Sequence, residues 1–138
     1  MRLNVWISFN GLKDNGFTGK QFPYKAFSPY TDKKATYNSL LDIHLEIVNL
    51  YNRYESRGYN LGETLYLETF FFADHHLLID SKIQNRIKEY RFCKMFSVSP
   101  YPTLQETPFN IVEDFFVIDN EYNKCIKSEK DKQKKGNK

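Results

Sequence analysis

Hydrophobic and polar positions change period several times along the chain. Residues 2–9, RLNVWISF, alternate: Leu3, Val5, Ile7 and Phe9 fall on one side and Arg2, Asn4, Trp6 and Ser8 on the other, which predicts a half-buried strand. Residues 11–20, GLKDNGFTGK, hold three glycines and the pair Asn15-Gly16, the chemistry of turns that need positive φ. In QFPYKAFSPY, Phe22, Tyr24, Phe27 and Tyr30 surround Pro23 and Pro29, whose fixed φ predicts an extended aromatic arm rather than a helix. From Thr31 or Asp32 the period becomes helical. Asp32 is placed to cap, and Tyr37, Leu40, Leu41, His44, Ile47, Val48, Tyr51 and Tyr54 recur at three- and four-residue spacing until Gly58 offers a stop. His44 lies within that stripe and reads as a core histidine bonded to a neighbour.

The segment from Leu61 to Phe72 fits either period, since LYLETFFF could be an aromatic strand. Tyr66, Phe70, Ala73 and Leu77 favour one helical face. Ser81-Lys82-Ile83-Gln84 has the capping-box pattern, and Ile79, Ile83, Ile87 and Tyr90 form a stripe running to about Phe96. SVSPYPTLQE, residues 97–106, carries two prolines and predicts a loop. A last helix follows, with Thr107 as cap and Pro108 at its first position. Its face is formed by Ile111, Val112, Phe115, Ile118, Tyr122 and Ile126, with Phe116 and Val117 widening it. The fold expected is mainly α, with α+β as the alternative. It is a bundle of three to four helices with an N-terminal strand and an extended aromatic arm. Residues 1–127 are expected to form a single globular domain and 128–138 a disordered lysine-rich tail.

Charge changes the picture when divided along the chain. The 138 residues carry +3, but 124–138 hold seven lysines against two acids, so residues 1–123 are two charges negative. A nucleic-acid surface needs a basic stripe, and here positive charge concentrates in the tail. Nucleic-acid contact is therefore expected only through Lys130, Lys132, Lys134 and Lys135. No run approaches the roughly 18–20 apolar residues of a membrane span, and the N-terminus turns polar too early for a secretory signal, so a cytoplasmic protein with no membrane partner is expected. Cys93 and Cys125 lack metal or redox spacing and read as reduced. Fifteen lysines against five arginines, with only three alanines, is the usage of AT-rich coding DNA. That tilts the setting towards a phage or mobile element, in the host cytoplasm or the virion.

Three motifs carry candidate chemistry. Asp74-His75-His76, after a hydrophobic run, resembles the triplet of the DHH phosphoesterases, which would imply a metal-dependent hydrolase. That family needs further aspartates upstream, including an Asp-x-Asp pattern, and no Asp-x-Asp occurs here, so two hydrolytic metals would lack bridging ligands. Adjacent histidines diverge on either a helix or a strand, which leaves His76 with Asp80, four apart, as the better pair, His75 beside it and His44 distant. Asp74 reads instead as the N-cap of a helix starting near His75. GFTGKQ resembles a phosphate loop but has Asp14 and Gln21 where a Walker motif needs glycine and Ser or Thr. No nucleophile motif occurs, so neither catalysis nor a cofactor is expected.

Twelve Phe, ten Tyr and one Trp remain to be placed. Large rigid rings anchor protein interfaces at small entropic cost. The function expected is a non-catalytic interaction protein, such as an assembly factor, adaptor or minor structural component. It would bind a protein partner or itself through Phe22, Tyr24, Phe27 and Tyr30. A nucleic-acid-binding regulator is the alternative, and a hydrolase at the Asp-His-His segment the third reading.

Overall fold

The computed structural model describes residues 1–12, 16–17 and 20–136. The chain is mainly helical, with a two-stranded antiparallel sheet near its N-terminus. In order, the elements are α1 (Arg2–Asn10), β1 (Tyr24–Ser28), β2 (Lys33–Tyr37), α2 (Leu40–Glu55), α3 (Leu61–Thr69), a 3-10 turn (His75–Leu78), α4 (Ser81–Phe96) and α5 (Phe109–Gly136). They form two compact units, residues 10–79 and residues 1–9 with 80–138. No break in composition marks either boundary.

In the first unit the extended arm is one strand of a hairpin. Tyr24 pairs with Tyr37 and Ser28 with Lys33, so Tyr24, Ala26 and Ser28 face inward while Lys25 and Phe27 face out. A lone two-stranded ribbon is marginal in water. This one is anchored to α2, whose Glu46 accepts hydrogen bonds from Ser28 Oγ at 2.7 Å and Tyr37 Oη at 2.8 Å. At the hairpin tip, Arg53 donates to the Tyr30 carbonyl at 2.6 Å and lies 4.3 Å from the Tyr30 ring centroid. Ile43, Leu50, Leu65, Tyr66 and Phe72 complete the core.

Two expectations are corrected here. The helix placed from Asp32 begins at Leu40, and Asp32 instead occupies the hairpin turn at φ 59°, a conformation aspartate tolerates, with its N–H bonded to the Ser28 carbonyl. His44 is exposed rather than in the core. Because Glu46 must face inward to meet the hairpin hydroxyls, α2 turns Ile43, Glu46 and Leu50 to the core and leaves Leu41, His44, Leu45 and Val48 outside. The helix stop at Gly58 is found as expected. Gly58 at φ 71° bonds the Glu55 carbonyl and Tyr59 that of Tyr54, the six-to-one and five-to-two pattern of a Schellman end, and the two tyrosine rings meet edge-on. The Leu61–Phe72 segment is helical through Thr69. Part of the turn expected over GLKDNGFTGK, and of GFTGKQ within it, lies outside the described residues. Of the rest, Gly16 has φ 86° and Lys20 bonds the Phe17 carbonyl.

In the second unit, residues 2–9 form a helix, not a strand. Leu3 through Ile7 are all buried, so the alternation does not separate an inner from an outer face. A segment covered all round satisfies its backbone within itself, and tertiary context overrides strand propensity. Trp6 Nε1 donates to the fully buried Glu121 at 2.9 Å, and Arg2 and Lys124 stand 3.4 and 3.6 Å from that carboxylate. Helices α4 and α5 run parallel, since Arg86 pairs with Asp114 and Lys94 with Asp119, and residues 97–108 return between them as the expected loop. The cap of α4 is Asp80, one residue before the expected capping box. Its carboxylate accepts from the N–H groups of Lys82 at 2.9 Å and Ile83 at 3.1 Å, while Gln84 bonds Asn4 instead. At the start of α5 the Pro108 carbonyl accepts the first helical bonds, and the Thr107 hydroxyl donates to Thr103 rather than capping. Residues 128–136, expected to be disordered, continue α5 to Gly136. Lysine, glutamate and glutamine are good helix formers, and residues 129–136 are all exposed. Asn137 and Lys138 lie outside the described residues.

Candidate protein-binding surface

The four arm aromatics divide between the core and the surface. Tyr24 is buried, donates to the Phe72 carbonyl at 2.6 Å and lies 5.8 Å from the Tyr37 ring, and burial, reinforced by the charge of Asp74, raises its hydroxyl pKa. Phe22, half-buried, stacks on Tyr24 at 5.3 Å. These two hold the hairpin to its own unit. Phe27 and Tyr30, in contrast, remain 40% and 39% exposed. Strand alternation explains the split, because Phe27 is odd in register with the buried Ala26 and Ser28.

Phe27 has a partner that periodicity did not single out. Phe71 lies edge-on to it at 5.6 Å and is itself 52% exposed, with the exposed Leu67 four residues earlier. Three successive phenylalanines cannot all face one core. Phe72 is fully buried against Tyr37, Phe70 packs on His75, and Phe71 is left outside. The signal in the sequence was this run itself, since at about 100° per residue one ring of three must diverge. Across the pair of strands Phe27 stands opposite Lys34, and Lys25 opposite Thr36, so the outer face is a phenylalanine among lysines.

The Asp-His-His segment is structural in its contacts. Asp74 caps the 3-10 turn, accepting from the His76 N–H at 3.0 Å, and its carboxylate also sits 2.8 Å from His76 Nδ1. His75 is fully buried, 4.2 Å from the Phe70 ring and 5.0 Å from Tyr66. Burial lowers its pKa to about 4. The Thr69 hydroxyl lies 2.7 Å from the Leu65 carbonyl, 3.2 Å from the Tyr66 carbonyl and 2.7 Å from His75 Nε2, while among the described residues His75 Nδ1 is buried without a hydrogen-bond partner. The expected pairing of His76 with Asp80 on one helical face does not occur. The turn ends at Leu78, the backbone is extended at Ile79 and Asp80, and the Asp80 carboxylate is committed to capping α4. Among the described residues no three His, Cys, Asp or Glu side chains come together as a metal site. Among the same residues Cys93 and Cys125 are not joined in a disulfide, and no helix is long and apolar enough to cross a membrane. No protein-family model, curated protein or solved structure matches the chain.

Proposed function

We propose that this chain is a non-catalytic protein-interaction module. Its contact surface is the outer face of the hairpin, with Phe27 and Phe71 as anchors, Tyr30 and Leu67 beside them, and Lys25 and Lys34 as a cationic border that favours an acidic partner. The observation that carries this reading is the Phe27–Phe71 pair, two mutually packed rings left open while Phe22 and Tyr24 hold the arm to its own unit. Rings already held against each other lose little entropy on binding. An adaptor or assembly component fits such a surface, and the AT-rich residue usage fits a phage or mobile-element setting.

The test uses partners captured from native lysate by the tagged full chain and identified by mass spectrometry. Affinity for a captured partner is then measured with the purified variant Phe27→Ser/Phe71→Ser. Loss of two central anchors should weaken binding by at least about 30-fold, with circular dichroism unchanged. Undiminished affinity for every partner would remove this surface from the function. A second reading has one observation behind it: Lys130, Lys132, Lys134 and Lys135 are all exposed along a helical segment, which suits a nucleic-acid backbone. Binding of that kind would fall steeply with salt and be untouched by the phenylalanine variant.

A further inference from the structure

The unit formed by residues 1–9 and 80–138 carries two apolar surfaces of opposite charge. One is a knob on the last two turns of α4. Ile87 and Tyr90 are buried and Ile83 half-buried, while Phe92, Met95 and Phe96 are 58%, 70% and 58% exposed, Phe92 and Phe96 on the far side of the helix and Met95 at its flank, where with Arg91 it borders Tyr122 and Ile126 of α5. Phe92 and Phe96 touch at 4.8 Å, which fixes both rings before any partner arrives. Lys88 and Arg91 stand four residues before Phe92 and Met95 and share their face. Neither has an ion pair among the described residues, whereas Glu89, the acid nearest to them in sequence, is occupied by Arg86 at 3.2 Å.

The other surface is a groove of about 230 Å³ between the returning loop and the first turns of α5, lined by Thr103, Leu104, Ile111, Val112, Phe115 and Phe116. Leu104 and Phe116 are 69% and 66% exposed. Here the charges without an ion pair among the described residues are acids. Glu106 follows Leu104 in the loop, and Glu113 shares the outward face of α5 with Phe109 and Phe116 by helical spacing.

We propose that the groove receives the α4 knob of a second copy of this chain. The apolar rings of the knob fill an apolar groove, and Lys88 and Arg91 meet Glu106 and Glu113. Every copy carries one knob and one groove on different surfaces, so the contact is head-to-tail, and successive copies build a ring or an open filament rather than a symmetric dimer. This contact is separate from the hairpin surface and stands or falls independently of it.

Sedimentation velocity on the full chain over about two decades of micromolar concentration is the test. It compares wild type, a knob variant (Met95→Ser/Phe96→Ser) and a groove variant (Leu104→Ser/Phe116→Ser). All four positions are exposed, so folding should survive, and circular dichroism checks it. The expected result is concentration-dependent growth of the wild type past a dimer, suppressed by salt. Each variant alone should stop at the monomer, and an equimolar mixture of the two should form a one-to-one complex and nothing larger. Phe27→Ser/Phe71→Ser should assemble as wild type does. A monomeric wild type throughout, undiminished assembly of either folded variant, or failure of the mixture to pair would each overturn the proposal.

Discussion

His75 is a fully buried imidazole whose neutral state the fold requires. Its ordinary pKa of 6.5 falls to about 4 through burial between Phe70 and Tyr66, with the nearby Asp74 charge opposing the shift. The unfolded chain therefore binds a proton that the native state refuses between those two values. Stability is complete above pH 6.5 and declines as pH falls towards 4. Replacement by phenylalanine should remove this component, because the ring fits the same aromatic slot and Thr69 keeps its bond to Leu65. Chemical denaturation of wild type and His75→Phe at pH 7, 5.5 and 4 should show the variant gaining on wild type by on the order of 2–3 kcal/mol across that range. An unchanged difference between the two would mean that the imidazole titrates normally. Glu46 sets a second residue-scale expectation. It joins Ser28 and Tyr37 through one carboxylate oxygen, and burial together with this carboxylate raises the Tyr37 hydroxyl pKa. Glu46→Ala leaves two buried hydroxyls unsatisfied and should cost about 2–4 kcal/mol in urea unfolding. Tyr37→Phe in the Glu46→Ala background should recover part of that loss, since it removes one orphan.

At the scale of elements, what was legible depended on how much each segment's own chemistry decided its conformation. Helices α4 and α5 were readable because their buried positions, Ile87 and Tyr90 in one and Ile111 and Ile118 in the other, repeat at helical spacing. The arm was readable as extended because proline leaves little choice. Strand β2, KKATY, was not, since only Tyr37 of its five residues is buried and its partner is fixed by the hairpin register rather than by its own pattern. Helix α1 was misread for the opposite reason, being buried on too many sides for alternation to mean anything. Of the candidate surface, Phe27 and Tyr30 could be named from sequence. Phe71 could not, because deciding which of three adjacent rings faces outward requires knowing where α3 ends. Asp80 shows how a residue with candidate chemistry can be absorbed by local structure. Its two bonds to the first turn of α4 predict that Asp80→Ala destabilises the protein by about 1 kcal/mol and Asp80→Asn by much less, an ordering readable from thermal melts. Equal effects of the two substitutions would show that the cap contributes through charge alone.

Across the whole molecule, positive charge and apolar packing occupy different residues. The buried side chains of α5 end at Cys125, and every residue from 129 to 136 is exposed, so the last turns add no burial to the fold. An isolated stretch of that length is marginal as a helix in water and is propagated here from the packed part of α5. Removing residues 129–138 takes away five lysines and two acids, bringing the formal charge from +3 to zero. Stability should then change by less than about 0.5 kcal/mol, since no buried contact is lost, while the helical dichroism signal falls. Solubility at neutral pH should drop, because an uncharged molecule that exposes Phe92, Met95, Leu104, Phe109 and Phe116 has nothing to oppose association of those surfaces. Precipitation curves for the full and shortened chains at pH 7 and pH 9 separate charge from packing. If charge keeps the full chain dispersed, the shortened chain regains solubility at pH 9, where it becomes negative. A shortened chain that unfolds, or stays insoluble at both values, would instead mean that the lysine-rich turns contribute to the fold itself.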